Sequence, residues 1–395
     1  MHAEAFAFLE RARREYPWLF QQARVLEAGA YVINGTPRSL FADCEYTGLD
    51  WRAGPGVDVV ALAHDYAPAQ PFDTLVSTEM LEHDPYWRDS LANLIAHLAP
   101  GGGLFLTWAG PERAAHEADC SPTGDYAGVA LADVLDVVRP LARWHKLTGT
   151  LARHGQDCQL AAVKPYTSAV IGTCGQPALL NCCIQELRRT AHRPLEIIVV
   201  DNGSTAREQA LIDQLDIDCL LTYPDALGYA AANNAGIAQA QGRYVLLCNN
   251  DAWPTAPGWD VRLGQILARV PAALLVSPTN PRCWHPEQQA YAALPADKET
   301  ELIAVRELSF VAPFLRRTTF DTLGPLDERF GVGNYEDNDY CRRIQAAGGK
   351  ILIDPATWFW HVGSVTMATQ DLAALYARNK QLFEEKWPDE KKDPD

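Results

Sequence analysis

The strongest constraint on this chain is a rhythm that runs twice. Short apolar, β-rich runs alternate with helix-like stretches, the pattern breaks near residues 143–164, and then it begins again. VLEA (25–28), YTGLD (46–50), DTLVS (73–77) and LFLTW (104–108) read as strands, with a helix over Asp89–Leu98 closed by Pro100-Gly101-Gly102-Gly103. Such alternation specifies a mostly parallel α/β sheet. RWHKLTGTLARHGQDCQLAAVKP reads as an antiparallel pair turning at His154-Gly155-Gln156-Asp157. SAVIGT (168–173), EIIVV (196–200) and RYVLLCNND (243–251) then open a second sheet, and Leu179, Leu180, Cys183, Ile184 and Leu187 mark one face of a helix. At 395 residues the chain exceeds one ordinary core. The expectation is therefore two α/β domains, 1–165 and 166–395, both built on Rossmann-like sheets.

The start, MHAEAFAFLERARREYPW, is interrupted by Glu4, Glu10, Arg11 and Arg13, so it reads as an amphipathic helix rather than a signal peptide. No window has the apolar length of a membrane span. The ten cysteines include no CxxC pair, which fits reduced thiols used as small apolar residues. A cytoplasmic protein is expected, with docking to the inner membrane face left open. The formal net charge of −16 disfavours nucleic acid as a partner. The charged tail EEKWPDEKKDPD is expected to fray.

Four polar clusters sit where buried strands of the second half should end, and open α/β sheets bind ligands there. Asp201-Asn202-Gly203-Ser204-Thr205 can hydrogen-bond a base and ribose, or can form a turn into the next helix. Asn249-Asn250-Asp251 offers a carboxylate to a hard divalent cation facing a diphosphate, or caps the strand. Tyr335-Glu336-Asp337-Asn338-Asp339 precedes a short helix, where its acids complement the helix dipole or supply a general base. His361, among Trp358, Phe359 and Trp360, is either a satisfied core histidine or a ligand completing a manganese-type shell.

The order of VIGTCGQPALLNCC, EIIVVDNGST, ALGYAAANNAGIAQAQGRYVLLCNNDAWPTAPGW, GPLDERFGVGNYEDNDYCRRIQAAGGKILIDP and FWHVGSVT resembles the inverting GT-A glycosyltransferases of family 2, which include many bacterial rhamnosyltransferases. The trailing ARNKQLFEEKW (377–387) is similar as well. The resemblance implies that Thr173, Asp201 and Asn202 bind the nucleoside, and that Asn233, Asn234 and Asn250 line the donor pocket. It implies Asp251 and His361 as ligands of Mn2+ or Mg2+, Asp337 as catalytic base and Glu336 as its helper at the acceptor. The donor would be a dTDP- or UDP-linked sugar and the acceptor a glycan or lipid-linked saccharide, with residues 277–313 governing acceptor choice. Two departures stand out: the metal motif is Asn-Asn-Asp, with one carboxylate, and Trp360-His361 replaces a pair of histidines.

In the first half, Gly29 and Gly35 lie in the first strand–loop–helix, and Asp50 ends the second strand. VLEAGAYVINGTPRSLF, YTGLDWRAGPGVDVVALAHDY, FDTLVSTEMLEHDPYW and LAPGGGLFLTWAGP resemble class I S-adenosylmethionine-dependent methyltransferases. That resemblance implies Glu27 and Gly29 near the methionine moiety, Asp50 at the ribose, Asp65 at the adenine, and Glu79 to His83 at the rim. His116 and Asp119 are candidate bases. A fold does not guarantee chemistry, so a scaffold without turnover is the competing reading. For the whole chain, the alternative to an enzyme is a carbohydrate or nucleotide-sugar binding module on a methyltransferase-like scaffold.

Overall fold

The structure is a computed structural model that describes residues 2–114, 121–280, 282–283, 285–289, 301–363 and 372–388. The chain divides into two compact units, Met1–Tyr166 and Thr167–Asp395.

In the first unit, α1 (Ala3–Glu15) buries Ala5, Phe8, Leu9 and Ala12, the one-sided spacing of an amphipathic helix. Seven strands follow: β1 (Arg24–Ala28), β2 (Glu45–Asp50), β3 (Val59–Val60), β4 (Phe72–Thr78), β5 (Leu98–Ala109), β6 (Lys146–Ala152) and β7 (Asp157–Val163). Helices α2 (Trp87–Ala96) and α3 (Leu131–Val138) lie between them. The sheet order is β3-β2-β1-β4-β5-β7-β6. β1 to β5 run parallel, while β7 is antiparallel to both β5 and β6. Leu75, Leu104, Leu106 and Leu160 pack with Leu91 and Leu94 of α2. Val25, Val76, Phe105 and Val163 pack with Phe8 and Leu9 of α1. The run Pro100–Gly103 is not a free turn after the helix: it lies in the irregular first part of β5. The register slips between Phe72 and Thr74 opposite it. An added Cβ at Gly103 would come within 2.5 Å of Leu19 Cδ1, so the run seats the strand against the core.

The second unit begins β8 (Thr167–Thr173), α4 (Pro177–Thr190), β9 (Leu195–Asn202), α5 (Ala206–Ile212), β10 (Cys219–Tyr223), α6 (Tyr229–Gln239), β11 (Tyr244–Leu247), β12 (Ala252–Pro254) and α7 (Trp259–Arg269). It continues β13 (Ala273–Thr279), α8 (Pro286–Gln289), β14 (Ile303–Val305), β15 (Phe314–Arg316), α9 (Arg317–Leu323), α10 (Glu336–Ala346), β16 (Lys350–His361) and α11 (Leu372–Lys386). The sheet order is β10-β9-β8-β11-β15-β13-β16-β12, with β14 also on β16. β10, β9, β8 and β11 are parallel, and β15 is antiparallel to β11. Leu180, Cys183, Ile184 and Leu187 form the buried face of α4. Thr205 and Glu208 close a capping box on α5. The strand expected over 243–251 stops at Leu247, so Asn249 to Asp251 leave the sheet as a turn. The expected short helix after the acidic run instead begins at Glu336, which puts Glu336, Asp337 and Asp339 in its first turn. Of the charged tail, residues 389–395 lie outside the described residues. Among the described residues, no helix is long and apolar enough to cross a membrane.

In each sheet the order of the parallel strands reverses at a switch point. In the first the reversal falls between β1 and β4, in the second between β8 and β11. Crevices open at the carboxyl ends of strands at such switch points, and each unit has a cleft there.

Candidate active site and a second cleft

The cleft of the second unit gathers residues from distant parts of the sequence. Thr173 comes from the end of β8, Asn202 from β9, Asn233 from α6 and Asn250 and Asp251 from the turn after β11. Glu336 and Asp337 come from α10, and His361 from the end of β16.

Asp251 and His361 meet because β12 and β16 pair antiparallel, with Ala252 opposite His361. His361 Nε2 then lies 3.3 Å from Asp251 Oδ1. The other ring nitrogen, Nδ1, lies 2.6 Å from the Arg282 carbonyl, which can only accept, so Nδ1 carries the proton. In its neutral form the ring would turn its Nε2 lone pair toward a carboxylate oxygen. Two acceptors at that separation repel unless a proton or cation lies between them. The same separation suits neighbouring ligands on an octahedral ion with bonds of about 2.1 Å. Asp251 Oδ2 accepts the Gly363 N–H at 2.9 Å, which fixes the carboxylate's orientation. Among the described residues, no group of three or more His, Cys, Asp or Glu could hold a metal ion. An ion between Asp251 and His361 would have one carboxylate and one imidazole from these residue types, with coordination positions left open to water or a substrate.

Glu336 is buried, and Glu336 Oε2 has no hydrogen-bond partner among the described residues. Burial first and the Asp337 charge second push its carboxyl well above the usual range. Asp337 is also raised, chiefly by burial, although Asp337 Oδ1 accepts the Asn338 N–H at 2.8 Å. Two adjacent carboxylates in low dielectric hold a shared proton to higher pH than either would alone. Asp339 belongs elsewhere. It is fully buried, 2.7 Å from Lys386 Nζ, and accepts from Trp387 Nε1 at 3.0 Å.

The remaining sequence candidates separate. Asn250 Nδ2 donates to Thr173 Oγ1 at 2.9 Å, and Asn202 Oδ1 accepts the Leu227 N–H at 2.5 Å. Asn233 lines the cleft while donating to the Tyr229 carbonyl at 2.9 Å. Asp201 is buried and is not among the lining residues: Asp201 Oδ1 accepts the Ser204 N–H at 3.1 Å and holds the turn. Asn234 is not in the cleft. Its amide brackets Leu326, donating to the carbonyl and accepting the N–H, each at 2.9 Å. One helical step of about 100° separates it from Asn233 and turns it to the opposite neighbour.

Cleft residues that the sequence did not single out include Tyr229, His285 and Glu307. Glu307 accepts from Asn338 Nδ2 at 2.6 Å, and the charge of His285 lowers the Asp337 carboxyl against its burial. His285 and Glu307 fall within 277–313, of which 281, 284 and 290–300 lie outside the described residues. The segment FWHVGSVT is described as far as Gly363.

The first unit's cleft is lined by Glu27, Gly29, Asp50 and Glu79, with Tyr31, Ile33, Trp51 and Met80 as apolar walls. Gly29 has φ +80°, and a Cβ there would meet Met80 Cβ at 2.9 Å. Asp50 accepts the Tyr31 N–H (3.1 Å) and the Arg52 N–H (3.2 Å) on separate oxygens. Asp65 does not reach this cleft: its carboxylate is 70% exposed beside His64, and Ala61 to Ala63 line the wall instead. Arg113, which the sequence reading passed over, binds Glu79 and, at 3.0 Å, Asp157 Oδ1. His116 and Asp119 lie outside the described residues. Burial raises Glu27 to about 7, against hydrogen bonds from Tyr46 and Thr36.

Residues 168–281 match the model of Glycosyl transferase family 2. A protein of Sinorhizobium fredii described as "Uncharacterized protein y4gI" is 26% identical over 254 residues, 56% of this chain and 28% of that protein. This chain therefore spans less than a third of that relative's length. Among solved structures, GalNAc-T7 with UDP, GalNAc and Mn2+ is similar at TM-score 0.44 and 15% identity, covering 58% of this chain and 52% of that one. The mannosyltransferase PcManGT from Pyrobaculum calidifontis, in complex with GDP-Man and Mn2+, is similar at TM-score 0.44 and 17% identity, covering 58% and 66%. S. aureus TarS 1–349 is similar at TM-score 0.38 and 13% identity, covering 55% and 69%. All three structural likenesses are slight.

Two stability measurements follow from these placements. Asn234→Ala is expected to lower unfolding stability by about 1–3 kcal/mol while leaving nucleotide affinity unchanged, checked by denaturant titration and calorimetric binding. Glu27 binds its proton more tightly when folded, so its contribution to stability is present below about pH 4.5 and is lost as pH rises toward about 7. Glu27→Gln should flatten that slope, worth up to about 3 kcal/mol, in melts recorded across pH 4–8. The stretch that matches the model of Glycosyl transferase family 2 runs from β8 to the residues following β13, within the second unit.

Proposed function

We propose that the second unit transfers a sugar from a nucleotide-diphosphate donor to a hydroxyl of a glycan or lipid-linked saccharide, with metal assistance and inversion at the anomeric carbon. The observation that carries this reading is the convergence of two carboxylate centres in one cleft: Asp251 with His361, and Glu336 with Asp337. A divalent ion, Mn2+ or Mg2+, would be held by Asp251 Oδ1 and His361 Nε2, and when bound would neutralise the leaving diphosphate. The chain's own groups then divide the work. Thr173, Asn202, Asn233 and Asn250 orient the donor, with a dTDP- or UDP-linked sugar as the expected class. Asp201 acts through the turn it holds. Asp337 takes the proton of the attacking hydroxyl, and its raised pKa makes it a stronger base than an exposed carboxylate. Glu336 holds the acceptor beside it.

The test is release of free nucleoside diphosphate from a panel of nucleotide sugars, with manganese or with chelator. Metal-dependent release from one donor is expected, abolished by Asp251→Ala and lowered about 10²-fold or more by Asp337→Asn. Because the base must be deprotonated and its pKa is raised, activity should climb with pH above the ordinary carboxylate range. Silence with every donor, together with no donor-induced shift in melting temperature, would overturn this reading; a shift without release would favour the binding module.

A second reading concerns the first unit. Its strand order and a cleft at the β1/β4 switch point support a nucleoside-type cofactor, and S-adenosylmethionine fits the apolar walls and acidic lining. The Gly29 approach and Asp50 would hold the methionine and ribose ends, with the methyl group as the chemistry the cofactor supplies. Calorimetric titration with S-adenosylmethionine should show binding that Asp50→Ala weakens about tenfold or more and Asp65→Ala leaves unchanged. Absence of binding would leave the unit as a scaffold.

A further inference from the structure

The loop before the paired carboxylates is held in an unfavourable backbone conformation. Gly331, Gly333, Asn334 and Tyr335 all have positive φ, at 67°, 149°, 71° and 73°. Glycine adopts such angles freely and asparagine tolerates them, but tyrosine does so only where its surroundings compel it. The loop also leaves several carbonyls without strand or helix partners, and buried carbonyls need donors.

Those donors come from α11. Asn379 is fully buried, and Asn379 Nδ2 donates to the carbonyls of Phe330 (2.8 Å), Gly333 (2.8 Å) and Asn334 (3.0 Å). Two N–H groups serving three carbonyls means one is shared. The arrangement fixes the amide's orientation, since a flipped side chain would set its oxygen against all three carbonyls. The same helix brings Phe383 and Tyr376 against the Tyr335 ring, each at 5.3 Å between centroids. On the loop's other side, the Tyr229 N–H donates to the Gly331 carbonyl at 3.1 Å, and a Cβ at Gly228 would come within 2.3 Å of that oxygen. The loop is therefore clamped between the start of α6 and α11, and Glu336 follows directly.

We infer that Asn379 is a positioning residue: it holds residues 330–335 in the left-handed path that seats Glu336 and Asp337 in the cleft, so that α11 is part of the active site. This rests on the transferase reading above. Asn379→Ala and Asn379→Asp, the second keeping the volume while replacing the amide donors, are compared with the wild-type full chain by hydrogen–deuterium exchange and by nucleotide release from the donor found in the panel. In both variants, exchange of amides in 330–338 should rise while that of 195–202 does not change. The kcat should fall about tenfold or more with donor KM within about twofold, because Thr173, Asn202 and Asn250 are held by other elements. In the Asp variant, the ratio of kcat to that of the wild type at the same pH should rise toward low pH, where a protonated carboxyl again offers one donor. Unchanged exchange in 330–338 overturns the inference, as does raised exchange with wild-type kcat. If Asn379→Ala does not fold, Asn379→Asp decides by the same criteria. A wild-type protein that releases nucleotide from no donor overturns the transferase reading instead, and the exchange measurements still decide whether Asn379 holds the loop.

Discussion

The pairing of two strand ends underlies the rest of the second unit's site. β12 is three residues long, and its antiparallel register on β16 sets Ala252 against His361. A slip of one residue would turn the imidazole to the other face of the sheet. With the register held, the Val362 N–H donates to the Asp251 carbonyl at 3.0 Å and the Gly363 N–H to its carboxylate at 2.9 Å. The turn after β11 and the end of β16 thus become one polar surface. Arg282 closes it from outside, accepting from His361 and donating to the Val362 carbonyl at 2.7 Å.

Negative charge accumulates in both clefts. Glu336 and Asp337 share one, and Glu27, Asp50 and Glu79 line the other. Each would be costly to bury as an unpaired ion. The two units answer differently. In the first, Arg113, with a side chain only 9% exposed, spans Glu79 and Asp157. In the second, burial pushes the carboxyl pair toward the protonated form. An arginine clamp stabilises a fixed charge; a raised pair keeps a proton available for exchange.

Much of the architecture was legible because buried parallel strands are apolar runs and amphipathic helices repeat with their own period. The strands over 25–28, 46–50, 73–77, 168–173 and 196–200 read directly, as did the antiparallel pair ending the first sheet. What could not be read was how neighbouring residues divide on a helix. Asn233 and Asn234 are adjacent, yet one faces the cleft and the other Leu326. Asp337 and Asp339 are two apart, yet one lines the cleft and the other is buried against Lys386 and Trp387. Composition shows these pairs as equals, and only packing against distant chain separates them. The same limit hid Arg113 and displaced Asp65, because loop paths are not encoded in a local period. Asn379 lay inside a recognised segment, but its donation to three carbonyls depends on a loop some 45 residues away.

The single carboxylate of Asn249-Asn250-Asp251 has a thermodynamic consequence. On the proposed reading, two protein donors leave most of an ion's coordination sphere to water and substrate oxygens. Ion and diphosphate then complete each other's site, and linkage makes the effect reciprocal: whatever factor the nucleotide adds to metal affinity, the metal adds to nucleotide affinity. A site of this kind saturates as a pair, so its occupancy follows the product of two concentrations and stays low when either ligand is scarce.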